Sequence, residues 1–154
     1  MTAEDAGDAD ERPAELFALD RTTCVTLLTT QHVGRLIIGG DEPMVIPLNY
    51  RAAGDAIRFR TEGGGRASAS VGQAVAFEVD MIDARTRSGW SVVVRGRLDL
   101  APDDSGDAAD AADEVDTWAP APRELRMVVT VDDVTGQLLR GRVDAPTHPL
   151  GGYL

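Results

Sequence analysis

Apolar segments of strand length, separated by glycine-bearing turns and only rarely by anything long enough for a helix, constrain this chain more than any other feature. Val33 to Ile38 is apolar and β-branched, Gly39-Gly40-Asp41 turns the chain into Pro43 to Tyr50, and Ala52 to Asp55 turns it again into Ala56 to Thr61. Further along, Val75, Phe77 and Val79 alternate with Ala76, Glu78 and Asp80, the period of a strand with one wet face. WSVVVRGRLDL carries the longest strand signal, and ELRMVVTVDDVTGQLLRG supplies a last strand and the start of another. A helix is expected ahead of the strands, capped by Asp20, with Val25, Leu27 and Leu28 on its apolar face and its end near Thr30. RASASVGQ has room for a helical turn or two. Hairpin connections without a βαβ alternation predict a mainly β fold, an antiparallel barrel, and disfavour a parallel nucleotide-binding sheet.

The chain has 154 residues, 43% of them apolar, enough for one domain with its own core. Its formal net charge of −11 comes from two segments. Residues 1–12 carry five acids against Arg12, and residues 99–116 carry eight acids and no base; the remainder is close to neutral. The composition predicts a disordered acidic tail over 1–15, a folded domain over 16–142 with a solvated acidic loop at about 101–116, and a C-terminal tail over 143–154. No broad basic face supports nucleic-acid binding. No apolar run reaches the roughly 20 residues of a membrane span, and the acidic, polar start is unlike a signal peptide, so no membrane association and a cytoplasmic location are expected.

All fifteen basic residues are arginine, so any anion site must use guanidinium forks. The segment from Val45 to Arg66 places such groups beside a flexible turn: Gly63, Gly64 and Gly65 offer backbone amides between Arg60 and Arg66, an arrangement suited to phosphate. As plain structure it is two solvated arginines near a surface turn. It is not a Walker loop, for it has no Lys-Ser/Thr pair, and GGGR is not a dinucleotide fingerprint. Pro47 inside a strand implies an edge or a bulge. Arg95 and Arg97 share a strand face and are expected to pair with Glu78 and Asp80. Cys24 reads as a buried side chain, His32 as a structural residue at a helix end, and no Cys/His/Asp cluster has metal spacing. No Ser-His-Asp or paired-carboxylate arrangement is recognisable.

Four segments in order, LLTTQHVGRLII, VIPLNY, FRTEGGGR and SGWSVVVRGR, followed by WAPAPRELRMVVTVDDVTGQLL, resemble the pyridoxamine 5′-phosphate oxidase-like, FMN-binding split-barrel proteins over about residues 18–140. The resemblance implies an antiparallel split barrel and a homodimer that holds FMN in clefts at its interface. It implies that Pro47, Asn49 and Tyr50 lie along the isoalloxazine ring. Phe59, Arg60 and Thr61 would line the ribityl and phosphate end, Arg66 would stand where relatives commonly carry a phosphate-binding lysine, and Ser88, Trp90 and Ser91 would approach from the interface side. Trp90 is equally a core or interface anchor, and Tyr50 equally a barrel aromatic.

The function implied is an FMN-dependent oxidoreductase, similar to a flavin reductase, that takes hydride from a reduced nicotinamide and passes electrons to a small molecule. Deazaflavin is the alternative cofactor. The alternative function is a non-catalytic protein that binds or sequesters flavin, deazaflavin or haem. The tail APTHPLGGYL lacks the extended substrate-phosphate motif of true pyridoxamine phosphate oxidases, so that activity is not expected.

Overall fold

The computed structural model describes residues 14–102, 115, 118 and 125–141. In chain order the elements are β1 (Glu15–Leu19), α1 (Arg21–Leu28), β2 (Val33–Ile38), β3 (Met44–Ala53), β4 (Ala56–Thr61), α2 (Arg66–Ala69), β5 (Ala74–Asp83), β6 (Ser88–Leu100) and β7 (Leu125–Arg140). The strands form one antiparallel sheet in the order β1-β7-β4-β3-β2-β5-β6, and β6 pairs back onto β7. That last pairing closes six strands into a split barrel, with β1 attached outside the ring.

Local sequence explains the elements. Asp20 caps α1, its carboxylate accepting from the Thr23 N–H at 2.8 Å and the Thr23 hydroxyl at 3.0 Å. The Thr29 and Thr30 hydroxyls bond back to the Thr26 and Leu27 carbonyls at 2.7 Å, closing the helix end. The strands alternate as a half-wet sheet requires: in β4, Ile57, Phe59 and Thr61 point inward, while Arg58 and Arg60 point out. Gly54, at φ 57°, opens the two-residue turn between Ala53 and Ala56, where a side chain would be strained.

The core fills the barrel with Leu36, Tyr50, Ile57, Phe59, Phe77, Val79, Val92, Val94, Leu98, Met127 and Val129. Phe77 sits at its centre, edge-on to Tyr50 at 5.1 Å between ring centroids and stacked with Phe59 at 6.5 Å. Gly34 makes room for this ring, because a Cβ there would run into Phe77 Cε1.

Two expectations change. The C-terminal segment is one 16-residue strand, β7, and not one strand followed by the start of another. Its first half pairs with β4, its second half pairs with β1 on the same edge, and β6 runs along the other edge with a register shift at Arg95/Gly96. Gly136 keeps the strand continuous beneath α1; a Cβ there would lie 2.6 Å from Cys24 Sγ. Strand β1 was also not foreseen: Glu15, placed in the tail, opens it, paired with Arg140. The rest of the acidic tail, most of the acidic loop and the C-terminal tail lie outside the described residues. Among the described residues no helix is long and apolar enough to cross a membrane.

Candidate functional site

The site begins where the β3–β4 ladder stops. Tyr50↔Phe59 is the last pair of that hairpin, whereas β3 remains paired with β2 from Asn49 back to Met44. Among the described residues, 44–49 therefore carry a ladder partner on the β2 side and none from β4, which leaves a gap in the ladder, the split in the barrel. Pro47 lies in the middle of this stretch and is exposed. A proline there removes a donor from a strand edge, as expected of a residue tolerated only at edges and bulges.

Asn49 stands at the inner end of the split. Its Nδ2 donates to the His32 carbonyl at 3.4 Å, and its Oδ1 accepts the Trp118 N–H at 3.0 Å, so the amide is held between the α1–β2 connection and the segment that leads into β7. The Trp118 side chain is 69% exposed. At the other end, the chain leaves β4 at the buried Thr61, passes Gly64 at φ 80°, and reaches Arg66 at the start of α2. A Cβ on Gly63 would meet nothing and one on Gly65 only an ordinary contact, so Gly64 alone needs to be glycine. Arg66 is exposed, and its Nη2 lies 4.0 Å from Oε2 of the equally exposed Glu42, just ahead of β3. That contact places the guanidinium at the outer end of the open edge, in water, where such a pair contributes little.

Pro47, Asn49, Arg60 and Arg66 thus lie along or at the ends of the β3–β4 gap, while Thr61 ends β4 beside it with its side chain turned inward and buried. The aromatic residues expected beside them do not join by their side chains, which is a correction. Tyr50 is 2% exposed, and its hydroxyl donates to the Leu28 carbonyl at 2.6 Å; burial pushes its ionisation far up. Phe59 is fully buried against Phe77, and Trp90 belongs to the same core. Each alternates with inward apolar neighbours, and barrel packing outweighs any role at the surface.

Ser88 and Ser91 lie on β6, with β2 and β5 between them and Asn49. Ser88 shares a hydrogen bond with Thr86 at 2.6 Å. Ser91 opens onto a groove of about 420 Å³ lined by Ala18, Leu19, Val93, Thr135, Gly136 and Gln137. Within one chain these serines form a second group, separate from the split. Arg95 and Arg97 are also corrected: Arg95 pairs with Asp133 at 3.3 Å and Arg97 donates to the Gly72 carbonyl at 2.7 Å. Glu78 and Asp80 are taken by Arg35 at 2.7 and 3.2 Å. Burial raises the Glu78 carboxyl, and the Arg35 contact opposes that rise.

Sequence reasoning missed three residues near the opening: Arg51, Arg58 and Arg126, which share the outer face with Arg60. The i, i+2 spacing of Arg58 and Arg60 was readable, but the register that brings Arg51 and Arg126 beside them was not. Among the described residues no group of His, Cys, Asp or Glu could hold a metal ion.

A family profile described as Pyridoxamine 5′-phosphate oxidase matches residues 20–140. The uncharacterized protein Rv0080 of Mycobacterium tuberculosis is 35% identical over 89 residues, which span 53% of this chain and only 59% of that protein. A FAD-binding protein from Mesorhizobium loti superimposes with a TM-score of 0.69 at 27% identity, over 82% of this chain and 98% of that one. The FAD binding protein from Mycobacterium smegmatis shares the fold, with a TM-score of 0.66 at 24% identity over 82% of this chain and all of that one.

Proposed function

Because this chain belongs to the pyridoxamine 5′-phosphate oxidase family, we propose that it binds a flavin along the open edge of β3 and works as a flavin-dependent oxidoreductase on a small molecule. The observation that carries the reading is the gap in the β3–β4 ladder beyond Tyr50↔Phe59, flanked by Arg60, Thr61 and Arg66. An open strand edge offers backbone donors and acceptors to a flat polar ring, and arginine forks suit a phosphate. The residues present therefore fit the cofactor.

A bound flavin supplies hydride acceptance from a reduced nicotinamide and electron delivery to the substrate. The chain's own part is positioning. Pro47 withholds a donor from the edge, which keeps another strand from adding there. Asn49, fixed by His32 and Trp118, presents an amide of set orientation. Arg60 and Arg66 hold the phosphate end, and Tyr50 and Phe59 stiffen the strand ends from inside the barrel. Ser88 and Ser91 reach the flavin of a second protomer in a homodimer. FMN is the cofactor we assign. Deazaflavin would use the same phosphate contact, and the names of the Mesorhizobium and M. smegmatis proteins make FAD the third candidate.

The visible absorption spectrum of the purified protein, followed by titration with FMN, FAD and deazaflavin, tests this. Quenching of flavin fluorescence with a thermal shift is expected; no chromophore and no response to any of the three would sink the reading. A carrier that holds flavin, deazaflavin or haem without turnover is the second reading, favoured because Pro47, Asn49 and Thr61 bring no ionisable side chain to the opening. Steady-state oxidation of reduced nicotinamides with artificial acceptors separates the two.

A further inference from the structure

The outer face of β6, β7 and β1 holds the groove onto which Ser91 opens. Ser91 is directly opposite Gln137, Gln137 is directly opposite Ala18, and Val93 is directly opposite Thr135. On β6 and β7 these positions alternate with the buried Val92, Val94 and Val134, so the register places all five residues on one side of the sheet. At about 420 Å³ the groove is of the size that holds a small molecule.

No charged side chain lines it. Apolar surface comes from Ala18, Leu19 and Val93, while Ser91, Thr135 and Gln137 supply two hydroxyls and an amide. Thr135 and Gln137 are exposed and Ser91 is half-buried, and none of the three side chains has a hydrogen-bond partner among the described residues. Other hydroxyls of the chain are engaged. Those of Thr23, Thr26, Thr29 and Thr30 are tied to α1 and its cap, those of Ser68 and Ser70 to α2, and those of Thr86 and Ser88 to each other. The charged groups at adjoining positions are also engaged. Asp80, opposite Ser91, and Glu78, opposite Val93, are both held by Arg35, and Arg95 pairs with Asp133 in the row beyond. A ligand in the groove therefore meets apolar walls and neutral groups that can turn to donate or accept.

We propose that this groove binds an uncharged planar molecule able to donate and accept hydrogen bonds, and that this molecule is the substrate of the flavin-dependent reaction. The second clause rests on the flavin reading above: Ser91, which borders the groove, is one of the two serines placed there beside a second protomer's flavin. The body of the ligand lies against Ala18 and Val93, and its polar edge follows the line from Ser91 to Gln137 and Thr135. This set of contacts discriminates by charge. A carboxylate would lose hydration without gaining a cation, whereas an amide exchanges water for neutral hydrogen bonds. Gln137 carries most of the selection, because its amide offers a donor and an acceptor together.

Naphthamide, with naphthoate and naphthylmethylamine as its charged counterparts, is the direct probe, titrated into the isotope-labelled full chain and followed by nuclear magnetic resonance. The backbone amides of Ser91, Val93 and Thr135 and the side-chain amide of Gln137 should shift with naphthamide. Naphthoate should bind at least tenfold more weakly, and the amine more weakly too. Thr135→Val and Gln137→Leu should each weaken naphthamide about three- to tenfold, the worth of one neutral hydrogen bond. Gln137→Arg should reverse the preference in favour of naphthoate, a gain that a variant damaged in its fold would not show. Shifts confined to other residues, a charged probe bound as well as the amide by the native protein, or unchanged affinities in all three variants would overturn the proposal. Flavin titrations separate the groove from the cofactor site. Thr135→Val and Gln137→Leu should leave flavin affinity unaltered, and naphthamide should not displace flavin; displacement would give the groove to the cofactor and overturn the proposal. Failure of the flavin reading is separately visible, since a protein that binds naphthamide through these residues and no flavin would keep this ligand site and lose that function.

Discussion

Arg66 is the residue on which the proposed phosphate contact depends most, because it stands exposed at the outer end of the gap, with Glu42 4.0 Å away as its ion-pair partner among the described residues. Arg66→Glu should weaken flavin affinity at least tenfold, measured by fluorescence titration, since a two-pronged donor becomes a repelling charge. Unchanged affinity would remove Arg66 from the site. Asp20 tests local structure by pH. Its carboxyl is held below the usual range, first by the Thr23 N–H and then by the Thr23 hydroxyl. A lowered native pKa means that the stabilisation is complete above the unfolded carboxylate value and is lost as pH falls through the native one. Asp20→Ala should therefore lower the melting temperature at neutral pH, with the difference from native protein closing in acid; a pH-independent gap would contradict the cap. Pro47, Asn49, Arg60 and Arg66 stood out in the sequence because unusual or charged residues on or beside a strand need a reason, and the structure puts them along and at the ends of the β3–β4 gap. For Tyr50 and Trp90 the core reading offered beside the site one describes the side chains, as it does for Phe59, and the parity was present: Tyr50 alternates in phase with Leu48, Phe59 with Ile57, and Trp90 with Val92 and Val94, all of them buried. Residues in phase with an apolar row belong inside the barrel.

At the scale of elements, β2 and β4 were legible to the residue, because each is short, alternating and bounded by glycine turns. β7 was not, for the Thr135-Gly136 pair looks like a break when read locally. The structure gives Gly136 a different purpose, as the place where α1 lies against the strand: an added Cβ would be 2.6 Å from Cys24 Sγ and 3.1 Å from the Ser91 carbonyl. Gly136→Ala should cost about 1–3 kcal/mol, the usual effect of overpacking, measured from urea unfolding midpoints. A neutral outcome would mean that α1 can back away freely. β1 escaped notice because its five residues, ELFAL, form too short a pattern to separate from a tail, and its strand state depends on a partner at the far end of the chain. The two arginine pairs across β3–β4 and β4–β7 were hidden for the same reason. Register between distant strands is set by three-dimensional packing and not by local sequence.

For the whole molecule, the outer face carries an apolar row across four strands: Ile82, Gly89, Leu139 and Leu16, in direct register. Ile82 and Leu16 are 62% and 61% exposed, a placement that suits a subunit contact near Ser88 and Ser91 better than open water. Ile82→Asp should convert the proposed homodimer to monomers in analytical ultracentrifugation, with an unaltered circular dichroism spectrum and reduced flavin affinity. A native protein that already sediments as a monomer would contradict the dimer, and with it the reach of Ser88 and Ser91 to a second protomer's flavin. The antiparallel barrel was legible from the run of hairpins, but the strand that closes it was not, because closure depends on one continuous β7 pairing with both β4 and β6. That strand is the last element of the described chain, and it supplies the only ladder between β4 and β6. During synthesis the preceding strands β2 to β6 can assemble only as an open five-stranded sheet, whose β4 and β6 edges stay bare until residues 125–140 leave the ribosome. Such edges are templates for pairing with other chains. The nascent protein is thus most exposed to aggregation in the interval before β7 emerges, and truncation within β7 should yield insoluble protein and not a smaller folded one.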